Sequence, residues 1–174
     1  MILPLTIRAR VISRADAREH LKRPGDAVIV DRHGPRWLVI SCPCSCGAQV
    51  SVNLDRRAGP SWRIYESRTG TSIYPSVWRD TDCESHFIIW RDNIFLLGSR
   101  DDDAWSNIVE DGAENRLLER VLELLSDREQ SAEEISDQIP GSEPWDVLHS
   151  CRRLCRLDKA VEGHRNARGR FRLR

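Results

Sequence analysis

Apolar and polar residues alternate along "LPLTIRARVIS" (3–13) with the two-residue period of a half-buried β-strand. "RADAREHLKRPGD" breaks that period and reads as a short helix stopping at Pro24-Gly25. "AVIVDRHGPRWLVIS" follows as two strands joined across His33-Gly34-Pro35, and "AQVSVNL" alternates again before the loop "DRRAGPS". "WRIYESRTGTSIYPSVW" reads as a hairpin turning at Thr69-Gly70, and "HFIIWRDNIFLLG" as a last strand pair around Arg91-Asp92-Asn93. This string of short strands and tight turns predicts a small antiparallel sheet or open barrel.

The pattern changes after the acidic, turn-rich stretch "GSRDDDAWSNIVEDGAEN". Leu117, Leu118, Val121, Leu122 and Leu125 then recur at helical spacing. Ser131 stands three residues before Glu134, which is a capping-box signature, and that segment ends at Pro140-Gly141. Pro144 opens a further helix that carries Leu148, Cys151, Leu154 and Cys155 on one face. Two short strands around a Gly- and Arg-rich turn close the chain. Three helices followed by a β-hairpin is the order of a winged helix-turn-helix. The expected fold is therefore α+β: a small, strand-rich antiparallel domain over residues 1–106, for which the cysteines below suggest a metal staple, then a winged helix over residues 113–174.

Composition narrows the setting. The formal charge of the 174 residues balances to zero, so no global field draws the chain to nucleic acid or membrane. No apolar run nears the roughly 20 residues that span a bilayer, and Arg8 interrupts the apolar N-terminus too early for a signal-peptide core. The expected location is the reducing cytoplasm, where six cysteines point to metal, catalysis or burial before disulfides.

Cys42, Cys44 and Cys46 occupy alternate positions in "SCPCSCGAQ". Zinc holds thiolates about 2.3 Å from the metal in a tetrahedron, so neighbouring sulfurs lie roughly 4 Å apart. In a straight strand the backbones of Cys42 and Cys46 would lie on the order of 13 Å apart. One metal can collect these thiols only if the chain folds back, which Pro43, Ser45 and Gly47 allow. "DCESHF" supplies a second short-spaced pair, Cys83 and His86. Five candidates thus compete for four places. Either one of the clustered cysteines is spare, or cysteines fill the shell and His86 is left for acid–base work. Cys151 and Cys155 need no metal, because an apolar helix face explains them.

The motifs of residues 25–97 closely resemble a bacterial family of uncharacterised domains. Its members carry a Cys-x-Cys-x-Cys-Gly knuckle, a Trp strand, Pro-Ser-Val and Cys-x-Ser-His-Phe. Here these fall on Cys42 to Gly47, Trp62 to Ile64, Pro75 to Val77 and Cys83 to Phe87. Ser45 stands where that family usually has glycine. Such domains occur in phage-defence islands and in operons for ubiquitin-like conjugation. The resemblance implies a zinc-binding protein working beside a ubiquitin-like modifier and its E1-like and E2-like enzymes, with a peptidase or deconjugating role.

Hydrolysis by serine needs a hydroxyl, a base and an orienting acid. Ser76, Ser85 and His86 are the candidates, with Asp80, Asp82 and Glu84 as orienters. Adjacent residues of a strand face opposite ways, so Ser85 and His86 do not form a pair with each other. Ser76 is the better nucleophile if its segment packs across from "CESHF". A metal-dependent hydrolase with Glu84 as base is the rival chemistry, and a cysteine-rich shell argues against it. At the other end, Arg152, Arg153 and Arg156 on the last helix and Arg165 and Arg168 in the wing suit contact with DNA phosphates or a protein partner. The competing reading is a non-catalytic zinc adaptor or DNA-binding regulator.

Overall fold

The structure, a computed structural model, describes residues 1–81, 83–97, 114–164 and 167–174. It divides into two compact units, Met1–Ala104 and Trp105–Arg174. In the first unit the strands are β1 (Ile2–Pro4), β2 (Thr6–Val11), β3 (Asp26–Asp31), β4 (Pro35–Ser41), β5 (Gln49–Asn53), β6 (Arg63–Ser67), β7 (Gly70–Trp78), β8 (His86–Trp90) and β9 (Asn93–Leu97). They form two sheets, ordered β2-β3-β4-β5 and β1-β9-β8-β7-β6.

The first alternating stretch is two strands rather than one. Leu5 N–H donates to Asp92 O at 2.8 Å and Thr6 N–H to Gly25 O at 3.0 Å, so the chain crosses from one sheet to the other at this point. Gly25 makes the crossing possible. Its φ is +84°, and a Cβ there would lie 2.4 Å from the Pro4 carbonyl oxygen. A further departure from the all-antiparallel expectation is the parallel pairing of β2 with β3. The helix between them, α1 (Arg14–Ala17), is shorter than its sequence suggests and continues only as the 3-10 turn Arg18–His20. It serves as the crossover that parallel neighbours require.

Two-residue alternation places one face of each sheet on a shared core. Ala27, Ile29, Leu38 and Ile40 face Ile73, Val77, Phe87, Ile89 and Ile94, and Cys42 joins them at 1% exposure. Two buried carboxylates tie loops to this frame. Burial pushes Asp26 up, but hydrogen bonds from Arg8 (2.7 Å), Arg23 N–H and Lys22 N–H outweigh it and hold the carboxyl below its ordinary range. Hydrogen bonds from the Arg57 side chain and backbone, then from Arg36, hold Asp55 well below that range.

The second unit runs α2 (Glu114–Leu124), β10 (Gln130–Ser131), α3 (Ala132–Ser136), α4 (Pro144–Arg156), β11 (Ala160–Glu162) and β12 (Arg170–Leu173), its strands ordered β10-β12-β11. The capping box is present: Ser131 Oγ accepts from Glu134 N–H, and the Glu134 carboxylate accepts from Ser131 N–H. Leu148, Cys151 and Leu154 are buried along α4, as their spacing predicts. Strand β10 has no sequence signature, since two residues are too few for a period.

Candidate functional site

The chain leaves β4 at Ser41 and folds back within six residues. Cys42 N–H donates to Ala48 O at 2.8 Å and Ser45 N–H to Cys42 O at 3.2 Å. Ser45 and Gly47 take φ values of +68° and +77°, the left-handed conformations that such a tight return demands. This knuckle gathers the sulfurs of Cys42, Cys44 and Cys46, and Cys83 completes the group from the loop between β7 and β8. All four Sγ atoms lie within 4.8 Å of one another. Cys42 Sγ is 3.4 Å from Cys44 Sγ and 3.7 Å from Cys83 Sγ, close to the spacing of thiolates around one tetrahedral ion.

The surroundings suit thiolates. Ser85 is buried with its hydroxyl 3.5 Å from both Cys42 Sγ and Cys83 Sγ. Arg79 Nη1 donates to Cys83 Sγ at 3.4 Å and to Cys46 Sγ at 3.6 Å. Burial pushes the Cys42 thiol up to about 12, whereas the Ser85 hydroxyl pulls Cys83 down to about 6. Burial also raises Cys44, but hydrogen bonds with Ser85, Cys46 and Cys42 bring it below its usual value. Four thiols at this spacing, with a hydroxyl and a guanidinium turned toward them, are a donor set that could hold a metal ion.

The fifth candidate, His86, stands apart from this group. Its Nε2 lies 3.0 Å from Ser76 Oγ. Strand alternation explains the division: Ser85 turns to the sulfurs and His86 to the other face of the sheet. The register of β7 and β8 explains the meeting with Ser76. Ile73 pairs with Ile89 and Val77 with Phe87, so Tyr74, Pro75 and Ser76 oppose Ile88 alone. This bulge, which contains the cis Tyr74-Pro75 bond, brings the Ser76 side chain to His86. Trp62 Nε1 donates to Ser76 O at 3.0 Å and fixes the backbone there. Trp78, two residues on and opposite His86, holds its ring 6.1 Å from the imidazole.

The remaining candidates are scattered. Asp80 and Glu84 are exposed, and Asp82 lies outside the described residues. In the second unit Arg152 approaches Glu162 at 3.8 Å, Arg153 is half-buried, and Arg156 and Arg168 are exposed. Arg165 lies outside the described residues. Sequence reasoning missed Arg79 and Trp78, and named Trp62 only as part of a strand motif. Each neighbours a motif residue in the fold, but only the bulge and the knuckle bring it there.

No curated protein and no solved structure shows significant similarity to the chain. Among family models, residues 13–97 match the one described as bacterial ubiquitination-like system serine protease (BubE). That stretch contains the cysteine cluster and the Ser76–His86 pair alike, and over it the chain is similar to that family of ubiquitination-like systems.

Proposed function

We propose that the N-terminal unit is a zinc-stapled serine peptidase that processes or removes a ubiquitin-like modifier, and that it works in the cytoplasm with the modifier's E1-like and E2-like enzymes. One observation carries this reading: a histidine nitrogen 3.0 Å from a serine hydroxyl, inside a stretch that matches a serine protease family.

Ser76 is the nucleophile and His86 its base. As Oγ attacks the scissile carbonyl, its proton passes to His86 Nε2, and the carbonyl becomes a tetrahedral oxyanion. Collapse expels the leaving amine, which takes the proton from the imidazolium. Water then repeats the sequence on the acyl-enzyme and regenerates the serine. Cys42, Cys44, Cys46 and Cys83 hold zinc as a closed structural site, since four thiolates leave no open position for substrate. Ser85 bonds to the thiolates, and Arg79 offsets their charge.

The C-terminal unit is read as a winged helix that recruits a partner. Its support is the element order α2-β10-α3-α4-β11-β12. Arg153, Arg156, Arg165 and Arg168 are its candidate contacts to DNA or protein, and Arg152 belongs to the same helix.

A small alkyl fluorophosphonate tests the catalytic assignment without a substrate. Ser76 Oγ would bond to phosphorus, fluoride would leave, and the serine proton would pass to His86. One adduct per chain, mapped to Ser76, is expected. It is lost in Ser76→Ala and slowed at least 100-fold in His86→Ala, in line with the contribution of general-base catalysis. An adduct of unchanged yield in Ser76→Ala would remove the assignment.

A further inference from the structure

Strand β7 is covered by β8 along one side, but its other side is covered only in part. The ladder with β6 runs from Ser67↔Gly70 to Arg63↔Tyr74 and ends there. At Ser76 the indole of Trp62 takes over, donating to the carbonyl oxygen. Beyond it no described residue pairs with that edge.

The hydrogen-bond phase of the β7–β8 ladder shows which groups face that opening. Trp78 is opposite His86, and Arg79 N–H donates to Ser85 O at 2.8 Å. In an antiparallel ladder this makes Trp78 and His86 a non-hydrogen-bonded pair. The N–H and C=O of Trp78 therefore point away from β8, outward from the sheet. The Trp78 side chain is 69% exposed, on the same face as Ser76 and His86 and 6.1 Å from the imidazole. Among the described residues, then, an N–H and a C=O without a partner and an exposed indole converge two residues from a serine hydroxyl. An outward-facing strand edge of this kind is a template for an extended chain.

We propose that the acyl-side segment of the substrate docks here as an added antiparallel strand. Its third residue before the scissile bond exchanges both backbone hydrogen bonds with Trp78, and the indole walls that residue on the Ser76–His86 face. Direction fixes the register. The described pairings of this sheet are antiparallel. A strand antiparallel to β7 runs from Trp78 toward Ser76, so the residue opposite Trp78 precedes the one at the nucleophile by two. Trp78 is then a specificity-determining residue, and the enzyme reads an extended, unfolded segment such as a protein tail. This rests on Ser76 being the nucleophile.

The probe is a diphenyl phosphonate of the tetrapeptide acetyl-Ala-Ala-Ala-Ala, its last alanine carrying phosphorus in place of the carboxyl. Ser76 Oγ bonds to phosphorus, phenoxide leaves, and the serine proton passes to His86. An N-methyl group on the second alanine removes the N–H offered to the Trp78 carbonyl, and is expected to slow labelling about tenfold, the effect of one lost hydrogen bond. N-methylation of the third alanine is expected to change it little. Trp78→Ala should lower the rate of peptide-probe labelling relative to that of the small alkyl fluorophosphonate by a similar factor, and circular dichroism and thermal melting of the variant check that it is folded. The proposal is overturned if the alkyl reagent labels Ser76 while the second-alanine N-methyl peptide reacts as fast as its parent, or while the peptide reacts no faster than its acetyl-alanine phosphonate alone. Failure of the alkyl reagent to label wild-type protein would instead strike the nucleophile assignment itself.

Discussion

Ser45 shows how one residue can be legible and still conflict with its place. Its neighbours are thiols that must close on one another, and the return of the chain puts its φ at +68°. A side chain in that conformation costs roughly 1–2 kcal/mol, because Cβ crowds the following carbonyl. The family this stretch resembles usually has glycine there, and Ser45 is exposed with no packing to lose. Ser45→Gly is therefore expected to stabilise the protein by about 0.5–1 kcal/mol, the penalty less the added freedom of glycine in the unfolded chain. Thermal melting of the two proteins checks this, and a lower midpoint for the glycine variant would contradict it. Gly25 is the opposite case. Added bulk would meet the Pro4 carbonyl oxygen at 2.4 Å, backbone that has no soft way to yield. Gly25→Ala should lower stability by about 2 kcal/mol or more, measured as a fall in denaturant midpoint.

At the scale of elements, the cysteine group joins two pieces of chain far apart in sequence. Three sulfurs come from the knuckle after β4, and one comes from the loop that leads into β8 and His86. If the group holds zinc, stripping the metal releases the start of β8 and with it the imidazole. Labelling of Ser76 by the alkyl fluorophosphonate is expected to fall at least tenfold after chelation and to return when zinc is added. An unchanged rate in metal-free protein would show that the Ser76–His86 pair does not depend on the cluster. Acid should act elsewhere. Asp55 lies below its ordinary range in the folded state through its hydrogen bonds from Arg57 and Arg36, so the stability it supplies is complete above the unfolded value of about 4 and is lost as pH falls below it. Asp55→Asn is expected to lower the melting temperature at pH 7 and to lose less on acidification to pH 3 than the parent does. Equal losses in the two proteins would remove Asp55 from the acid response.

These elements differ in how far the sequence reveals them. Alternation marks β5, whose one face lies on the shared core, whereas β3 and β8 read as short apolar runs because both of their faces are buried, and the turns at His33-Gly34-Pro35 and Thr69-Gly70 carry their own punctuation. It does not distinguish parallel from antiparallel partners, so the β2–β3 pairing was hidden. Nor does it show that Pro4 and Leu5 divide one periodic stretch between two sheets. The cysteine spacing announces a sharp return because thiols four residues apart cannot otherwise meet. Which four of five donors gather is a tertiary fact. It turns on Ser85 and His86 facing opposite ways and on a bulge at Tyr74, Pro75 and Ser76 that no local pattern signals.

For the whole molecule, the proposed function divides the labour, with cleavage in the N-terminal unit and recruitment in the C-terminal one. The N-terminal unit holds the cysteine group and the serine–histidine pair on opposite sides of the chain at the start of β8, where Ser85 turns to the sulfurs and His86 to Ser76, so the cluster can brace the pair without entering the chemistry. The C-terminal unit, proposed as a winged helix, has Arg170 on the capping-box residue Glu134 at 2.9 Å and Arg152 near Glu162, which assigns part of its basic character to internal contacts. The central claim concerns the first unit, and intact mass spectrometry of a ubiquitin-like precursor tests it most directly. The precursor would be incubated with the native protein, with Ser76→Ala and with His86→Ala, and zinc content would be measured in all three. Cleavage by the native protein alone, with one zinc bound per chain throughout, is the expected result. An intact precursor after incubation with the native, zinc-loaded protein, or equal cleavage by the Ser76→Ala form, would contradict it.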